Sequence, residues 1–157
     1  MCTPALAKVL TACALLLPAL AWADLEGRVV GVTDRDTIKV LFGTRQLRVR
    51  LTEIDAPESR QPFGQRSKQS LSNLCFGKPV RLVDQGQDRY GRTLARVYCA
   101  GTDANREQIR RGMAWVFDRY VTDRSLYADQ DEARAAKRGL WSDAHPIPPW
   151  EWRRVTR

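Results

Sequence analysis

Nine consecutive residues, Arg50-Leu51-Thr52-Glu53-Ile54-Asp55-Ala56-Pro57-Glu58, concentrate groups that could do chemistry. Leu47, Val49 and Leu51 alternate with Arg48, Arg50 and Thr52, which predicts a strand with one apolar and one cationic face. Glu53-Ile54 breaks the alternation, and Pro57 forces Ala56 into an extended or turn conformation. The strand should therefore end in a fixed corner that carries Asp55 and Glu58, with Arg50 behind them. Two carboxylates beside an arginine can hold a hard cation and the phosphate it polarises. Glu53 is a nearby rival to Glu58 for the reacting carboxylate.

Two further clusters carry matching groups. Upstream, Asp34-Arg35-Asp36-Thr37 places two aspartates on one side of a strand, about 7 Å apart. That spacing suits one carboxylate on an ion and the other just outside it; it equally suits a polar turn solvated by water. Downstream is Asp88-Arg89-Tyr90-Gly91-Arg92. Arginine's planar fork engages two phosphate oxygens and stays charged at any working pH. An arginine on a strand is otherwise a solvated face, and Arg48 offers that comparison beside Arg50. Oxygen donors without thiol or imidazole clusters select Ca²⁺ or Mg²⁺ over zinc. The single histidine, His145, lies in a Pro-rich tail, so schemes needing two imidazoles are excluded.

In this order and at these separations, Asp36-Thr37, Arg50…Asp55-Ala56-Pro57-Glu58 and Tyr90-Gly91-Arg92 resemble the staphylococcal nuclease (thermonuclease) family, over roughly Leu25 to Trp141. The resemblance implies a Ca²⁺-dependent phosphodiesterase acting on DNA and RNA, single strands preferred, with little sequence preference and 3′-phosphate products. It implies no stable protein partner, and a monomer is expected. By resemblance, Asp36 and Asp55 ligate the ion directly, the Ala56 carbonyl contributes, and Asp34 lies just outside. Glu58 activates or orients the attacking water, while Arg50 and Arg92 hold the scissile phosphate. Arg89 and Tyr90 bind the neighbouring phosphate, and Tyr120 lies beside the nucleotide base.

Three positions depart from the family pattern: Arg35 replaces a glycine, Arg89 a lysine, and Asp118 the first of two tyrosines. A left-handed turn at Arg35 would be strained; an ordinary turn would free its side chain to point at solvent beside the ion. Trp115 or Phe117 could take over base stacking, or could belong to the core. Arg35 and Asp118 support one alternative, a catalytically inactive OB-fold nucleic-acid-binding protein; retention of the catalytic positions opposes it.

The balance of 26 Lys+Arg against 18 Asp+Glu, a formal +8, favours a polyanionic partner, nucleic acid before anionic membrane. At 157 residues there is room for one domain with a modest core. Residues 1–23 read as a signal peptide: Lys8, an apolar run from Val9 to Ala21, then Ala21-Trp22-Ala23 before a cut at Asp24. This predicts export to the periplasm or the medium, with a nuclease domain over 24–157 (core 25–141, tail 142–157). Leu10-Thr11-Ala12-Cys13 has the form of a lipoprotein site, but most of the apolar run follows Cys13 rather than preceding it, which favours plain export. Cleavage would remove Cys2 and Cys13 and leave Cys75 and Cys99, a disulfide candidate in an oxidising compartment or else two buried thiols.

The elements that must position these groups follow from periodicity. Strands are predicted over Gly27–Val32, Ile38–Phe42, Gln46–Thr52, Val80–Val83 and Thr93–Cys99, with a polar loop from Asp84 to Tyr90. Helices are predicted near Gln65–Leu74, near Asn105–Arg111, and from Asp123 or Ser125 to a stop at Gly139, with Leu126, Ala133 and Leu140 on one face. The tail cannot be helical up to Pro149, and its tryptophans should pack back on the domain. Five strands with about three helices make an α+β, mainly β, protein: a five-stranded OB-type Greek-key barrel.

Overall fold

A computed structural model describes residues 25–156; the predicted signal segment, with Cys2 and Cys13, lies outside them. The strands are β1 (Leu25–Asp34), β2 (Thr37–Phe42), β3 (Arg45–Leu51), β4 (Ile54–Asp55), β5 (Pro79–Gln87), β6 (Thr93–Cys99), β7 (Thr102–Asp103) and β8 (Trp115–Val116). The helices are α1 (Gly64–Cys75), α2 (Ala104–Arg110), α3 (Leu126–Ala135) and α4 (Pro149–Val155), with a 3₁₀ turn at Gly139–Ser142.

Five strands close the barrel. They run β3-β2-β1-β5-β6, and parallel pairing of β3 with β6 joins the ends. Long β1 makes this possible, because it pairs with β2 along one half and with β5 along the other. The predicted alternation appears as burial: Ile38, Val40, Val49, Leu51, Leu82 and Val97 point inward and are almost fully buried. Leu71 and Leu74 of α1 cover one end of this core, as their helical spacing predicted. Cys75, the last residue of α1, is bonded to Cys99, the last of β6, with Cα atoms 5.1 Å apart.

Two boundaries differ from expectation, and a third is decided between the two residues offered. Strand β5 runs on to Gln87, through a register shift between Asp84 and Gln87, so the polar loop shrinks to Asp88–Arg92. Polar composition hid this, because the continuation is an exposed β-ladder without an apolar face. Helix α3 stops at Ala135, since Lys137 is left-handed (φ 52°), and Leu140 reaches the core from the 3₁₀ turn instead. Ser125 is its N-cap residue, while the Asp123 carboxylate accepts the Ser125 N–H.

There are four α-helices among the described residues rather than about three. α4 begins at Pro149, where proline's missing N–H costs nothing at the first helical position. It is docked by Trp150, whose ring stacks on Phe117 (5.5 Å between centroids, 7° between planes) and meets Trp115 edge-on at 5.9 Å. Trp115 itself is buried in a second apolar cluster with Ala133, Leu140 and Trp141.

Candidate active site

Backbone pairing assembles the site. Register between β2 and β3 sets Thr37 opposite Arg50, so the Asp36 carboxylate meets the Arg50 guanidinium (Nη2–Oδ2 3.1 Å). After β3, Glu53 adopts a left-handed turn (φ 65°) and β4 pairs with β8, placing Asp55 opposite Trp115. Arg50 spans this corner: its Nη1 donates to the carbonyls of Leu51 (2.5 Å) and Ile54 (3.1 Å), and its Nη2 lies 3.6 Å from Asp55 Oδ1. One guanidinium thus touches both proposed ion ligands and fixes the turn between them.

Glu58 is held by its backbone. Its N–H donates to Gln61 Oε1 (3.0 Å), and its carbonyl accepts from the Gln61 N–H (2.9 Å). Helix α1 then starts against that same carbonyl: a Cβ on Gly64 would sit 2.0 Å from Glu58 O. Any larger residue at Gly64 would push Glu58 out of place.

The third cluster is anchored by Asp88. Its carboxylate accepts from the N–H groups of Tyr90 (2.9 Å) and Arg92 (3.0 Å) and from Arg92 Nε (2.8 Å), turning the loop and aiming the Arg92 guanidinium. Burial raises the Asp88 pKa, but these donors outweigh it and hold the carboxyl below its ordinary range. Arg92 Nη1 reaches Thr37 Oγ1 at 3.5 Å, which ties this loop to the Asp36 corner. Arg89 lies along the Tyr90 ring and donates to its hydroxyl at 2.7 Å. Arg48 donates to the Tyr90 carbonyl (3.0 Å) and so braces the loop from outside.

These side chains converge on one cleft of about 350 Å³, lined by Asp34, Arg35, Asp36, Arg50, Asp55, Ala56, Glu58, Arg89, Tyr90, Arg92 and Arg153. Every sequence-predicted site residue lies there except Tyr120 and the cysteines. Tyr120 is exposed, edge-on to Phe117 at 5.0 Å between centroids, and is not among the residues that line the cleft. Asp118 accepts the Tyr127 hydroxyl (2.7 Å) and anchors the segment that carries Tyr120. Trp115 and Phe117 are both engaged in packing with Trp150, the core option of the two left open above.

The environment separates the two glutamates. Glu53 is buried at 3% exposure; its Oε1 accepts from the N–H groups of Thr122 and Asp123 and the Thr122 hydroxyl, and its Oε2 from Arg96 at 2.5 Å. Burial alone would raise its pKa, yet those donors hold the carboxyl below its ordinary value. Buried and held by four donors, Glu53 does not line the cleft, whereas Glu58 does. Glu58 stays partly open to the cleft.

Arg35 resolves differently from either expectation. It is not left-handed, and its side chain does not point at solvent: it pairs with Asp34 (2.5 Å) and reaches Glu58 Oε2 (3.4 Å). A carboxylate on each side draws it inward.

One residue was missed. Arg153, on α4, donates Nη2 to Asp55 Oδ2 (2.6 Å) and Nη1 to Glu58 Oε1 (2.7 Å). No motif pointed to it, since it lies in the tail beyond the clusters. Asp55 is only 2% exposed; burial raises its pKa, Arg153 is the main opposing influence, and Asp36 adds to the rise. The described residues form no group of three or more His, Cys, Asp or Glu side chains suited to a metal. The donor set is instead two carboxylates, Asp36 and Asp55, drawn together on Arg50, with Ala56 lining the cleft beside them. Such all-oxygen sparse donation fits a hard divalent ion that keeps several waters. Arg50 and Arg153 already pair with Asp36, Asp55 and Glu58, so an ion at Asp36 and Asp55 would share these carboxylates with a guanidinium or displace it.

The sequence profile of the "Staphylococcal nuclease homologue" family matches residues 48–143, more than half of the chain. The chain belongs to the staphylococcal nuclease family. It is similar to a micrococcal nuclease of Shigella flexneri, 43% identical over 164 residues that cover 98% of this chain and 94% of that one. It is also 48% identical over 132 residues to an uncharacterized endonuclease of Escherichia coli O157:H7, covering 83% of this chain and 86% of that protein. A third relative, an uncharacterized endonuclease of Haemophilus influenzae, is 48% identical over 128 residues. This member of the family is accordingly a nuclease in class, and its closed barrel is the family's OB-type fold. The profile match stops before α4, so the family pattern does not reach Arg153.

Proposed function

We propose that this nuclease is exported, depends on Ca²⁺, works as a monomer, and hydrolyses DNA and RNA with little sequence preference, favouring single strands and leaving 3′-phosphates. The observation that carries this is the cleft itself, where Arg50, Arg89 and Arg92 face the same space as Asp36, Asp55 and Glu58. Arg50 and Arg92 would hold the scissile phosphate in their planar forks, and Arg89 with Tyr90 the neighbouring one. Glu58 would accept a proton from the attacking water as its oxygen bonds to phosphorus. The bond to the 5′-oxygen then breaks, and solvent protonates that oxygen. Charge moving onto the equatorial oxygens strengthens both arginine contacts in the transition state. Asp36, Asp55 and the Ala56 carbonyl would hold Ca²⁺, which when bound polarises the phosphate.

The test uses mature protein beginning at Asp24, with denatured DNA, in Ca²⁺ or in chelator. Cleavage with Ca²⁺ alone, and 3′-phosphate ends on the products, is expected. Binding without cleavage in Ca²⁺ overturns the enzyme reading in favour of an inactive nucleic-acid-binding module. Recovery of protein with an intact residue 1 from the cytoplasm only would overturn export.

A further inference from the structure

Beyond Glu58 the cleft continues. A second hollow of about 350 Å³ is lined by Glu58, Ser59, Arg60, Trp152, Arg153 and Thr156. It shares Glu58 and Arg153 with the catalytic cleft, while Arg89 and Tyr90 line only the first. Its two walls come from different elements, the corner after Glu58 and helix α4.

The lining has the two features a nucleotide needs. Trp152 is half-buried, lines the hollow and takes no part in the ring contacts of Trp115, Trp141 and Trp150, which leaves it without an aromatic partner of its own. Arg60 is exposed and has no ion pair or hydrogen bond among the described residues, so its charge is free for a phosphate. The Thr156 hydroxyl donates to the Trp152 carbonyl (2.9 Å) and closes the end of the helix below the tryptophan. The size is that of a small-ligand site.

We propose that this hollow is a further subsite, which binds the nucleotide next to the scissile phosphate on the side opposite Arg89 and Tyr90: Trp152 stacks on its base and Arg60 pairs with its phosphate. The proposal rests on the nuclease reading above. It makes α4 one wall of a groove open on both sides of Glu58, which suits a strand cut internally.

The experiment uses single-stranded oligonucleotides with one cleavable linkage, extended by one to three nucleotides on the 5′ side in one series and on the 3′ side in the other. In one series the first added nucleotide should raise kcat/KM about tenfold, chiefly through KM, as one base stacked on an aromatic ring commonly does; a gain in the other series would report the Arg89 and Tyr90 side and should be indifferent to Trp152 and Arg60. Trp152→Ala and, independently, Arg60→Gln should each lose most of the first gain, while Arg45→Gln, an exposed control on β3, should keep it. The Arg60 share should shrink as salt is raised. Circular dichroism and thermal melts check that Trp152→Ala keeps α4; Arg60→Gln tests the same subsite from an element outside the helix. No gain in either wild-type series, or gains that all survive both variants, overturns the subsite. Failure of the wild type to cut any substrate overturns the nuclease reading itself, a different result.

Discussion

Arg153→Gln tests whether the chain's own cation and the proposed Ca²⁺ compete for one carboxylate. Asp55 is almost wholly buried, and its Oδ2 contact to Arg153 is 2.6 Å. At an effective dielectric near 20, two unit charges about 4 Å apart attract by about 4 kcal/mol. Removing one partner of a fully buried pair costs about 3–5 kcal/mol. Two features reduce that here: Arg153 is 37% exposed, and Arg50 remains 3.6 Å from Asp55. A loss of about 1–3 kcal/mol follows, or a fall in Tm of about 5–10 °C for a domain of this size. That loss should appear in chelator. With saturating Ca²⁺ the ion supplies the charge Asp55 needs, so the gap between variant and wild type should close by more than half. The cycle demands a counterpart: the variant should bind Ca²⁺ about tenfold more tightly, because the ion no longer displaces a guanidinium. Thermal melts in both buffers and calcium calorimetry read the two sides. An equal Tm gap with and without Ca²⁺, together with unchanged affinity, would refute competition at Asp55.

Other expectations follow from the same contacts. Arg50→Ala and Arg92→Ala should each lower kcat by about 10²–10³, whereas Arg48→Ala, which loosens only the brace on the Tyr90 carbonyl, should act mainly on KM; equal mild effects at all three positions would mean a general basic face. Glu53→Gln should lower Tm strongly, because a buried acceptor of four donors loses its charge opposite Arg96, while Glu58→Gln should abolish turnover with little change in Tm; the reverse pattern would exchange their roles. Reducing the Cys75–Cys99 bond, which spans a sequence separation of 24, should cost about 3 kcal/mol of stability in denaturant melts. Asp123, bonded first of all to the Ser125 hydroxyl and also to Arg106 and near Arg96, has its pKa held down to about 2. Its stabilising share is present above the unfolded carboxyl value and is lost as pH falls through about 2, so Asp123→Asn should flatten the acid limb of a Tm-versus-pH curve.

Much of this was legible in the residues, for reasons that are local. The barrel strands announce themselves by alternation, as at Val49 and Leu51, and β3–β2 register alone brings Asp36 to Arg50. The helix-to-strand cysteines were readable because the predicted leader sets Cys2 and Cys13 apart and leaves an even pair. What was not legible depends on long-range geometry. The exposed end of β5 has no apolar face to betray it, and α3 ends at a left-handed lysine where glycine was expected. Tyr120 is not among the residues that line the cleft, and its segment is tied by Phe117 on Trp150 and by Asp118 on Tyr127, contacts no motif announces. Arg153 is farthest from prediction, since its partners stand 98 and 95 positions earlier in the chain.

Glu53 and Glu58 show why position in the fold, rather than residue type, decides chemistry here. They flank Asp55 within one turn of chain, and either could have been the reacting carboxylate. The left-handed conformation at Glu53 throws that side chain inward toward Arg96, which also binds Asp103 at 2.7 Å and Asp123 at 3.2 Å. Arg96 thus knots β6, the start of α2 and the segment before α3 to the corner after β3. The same turn that buries Glu53 brings Asp55 back toward Arg50, and β8 pins it there by pairing at Ile54 and Asp55. Glu58 emerges three residues later, past Pro57, with its carbonyl against Gly64 and its carboxylate in the cleft. The glutamate buried on Arg96 therefore fixes the corner from which Glu58 enters the cleft.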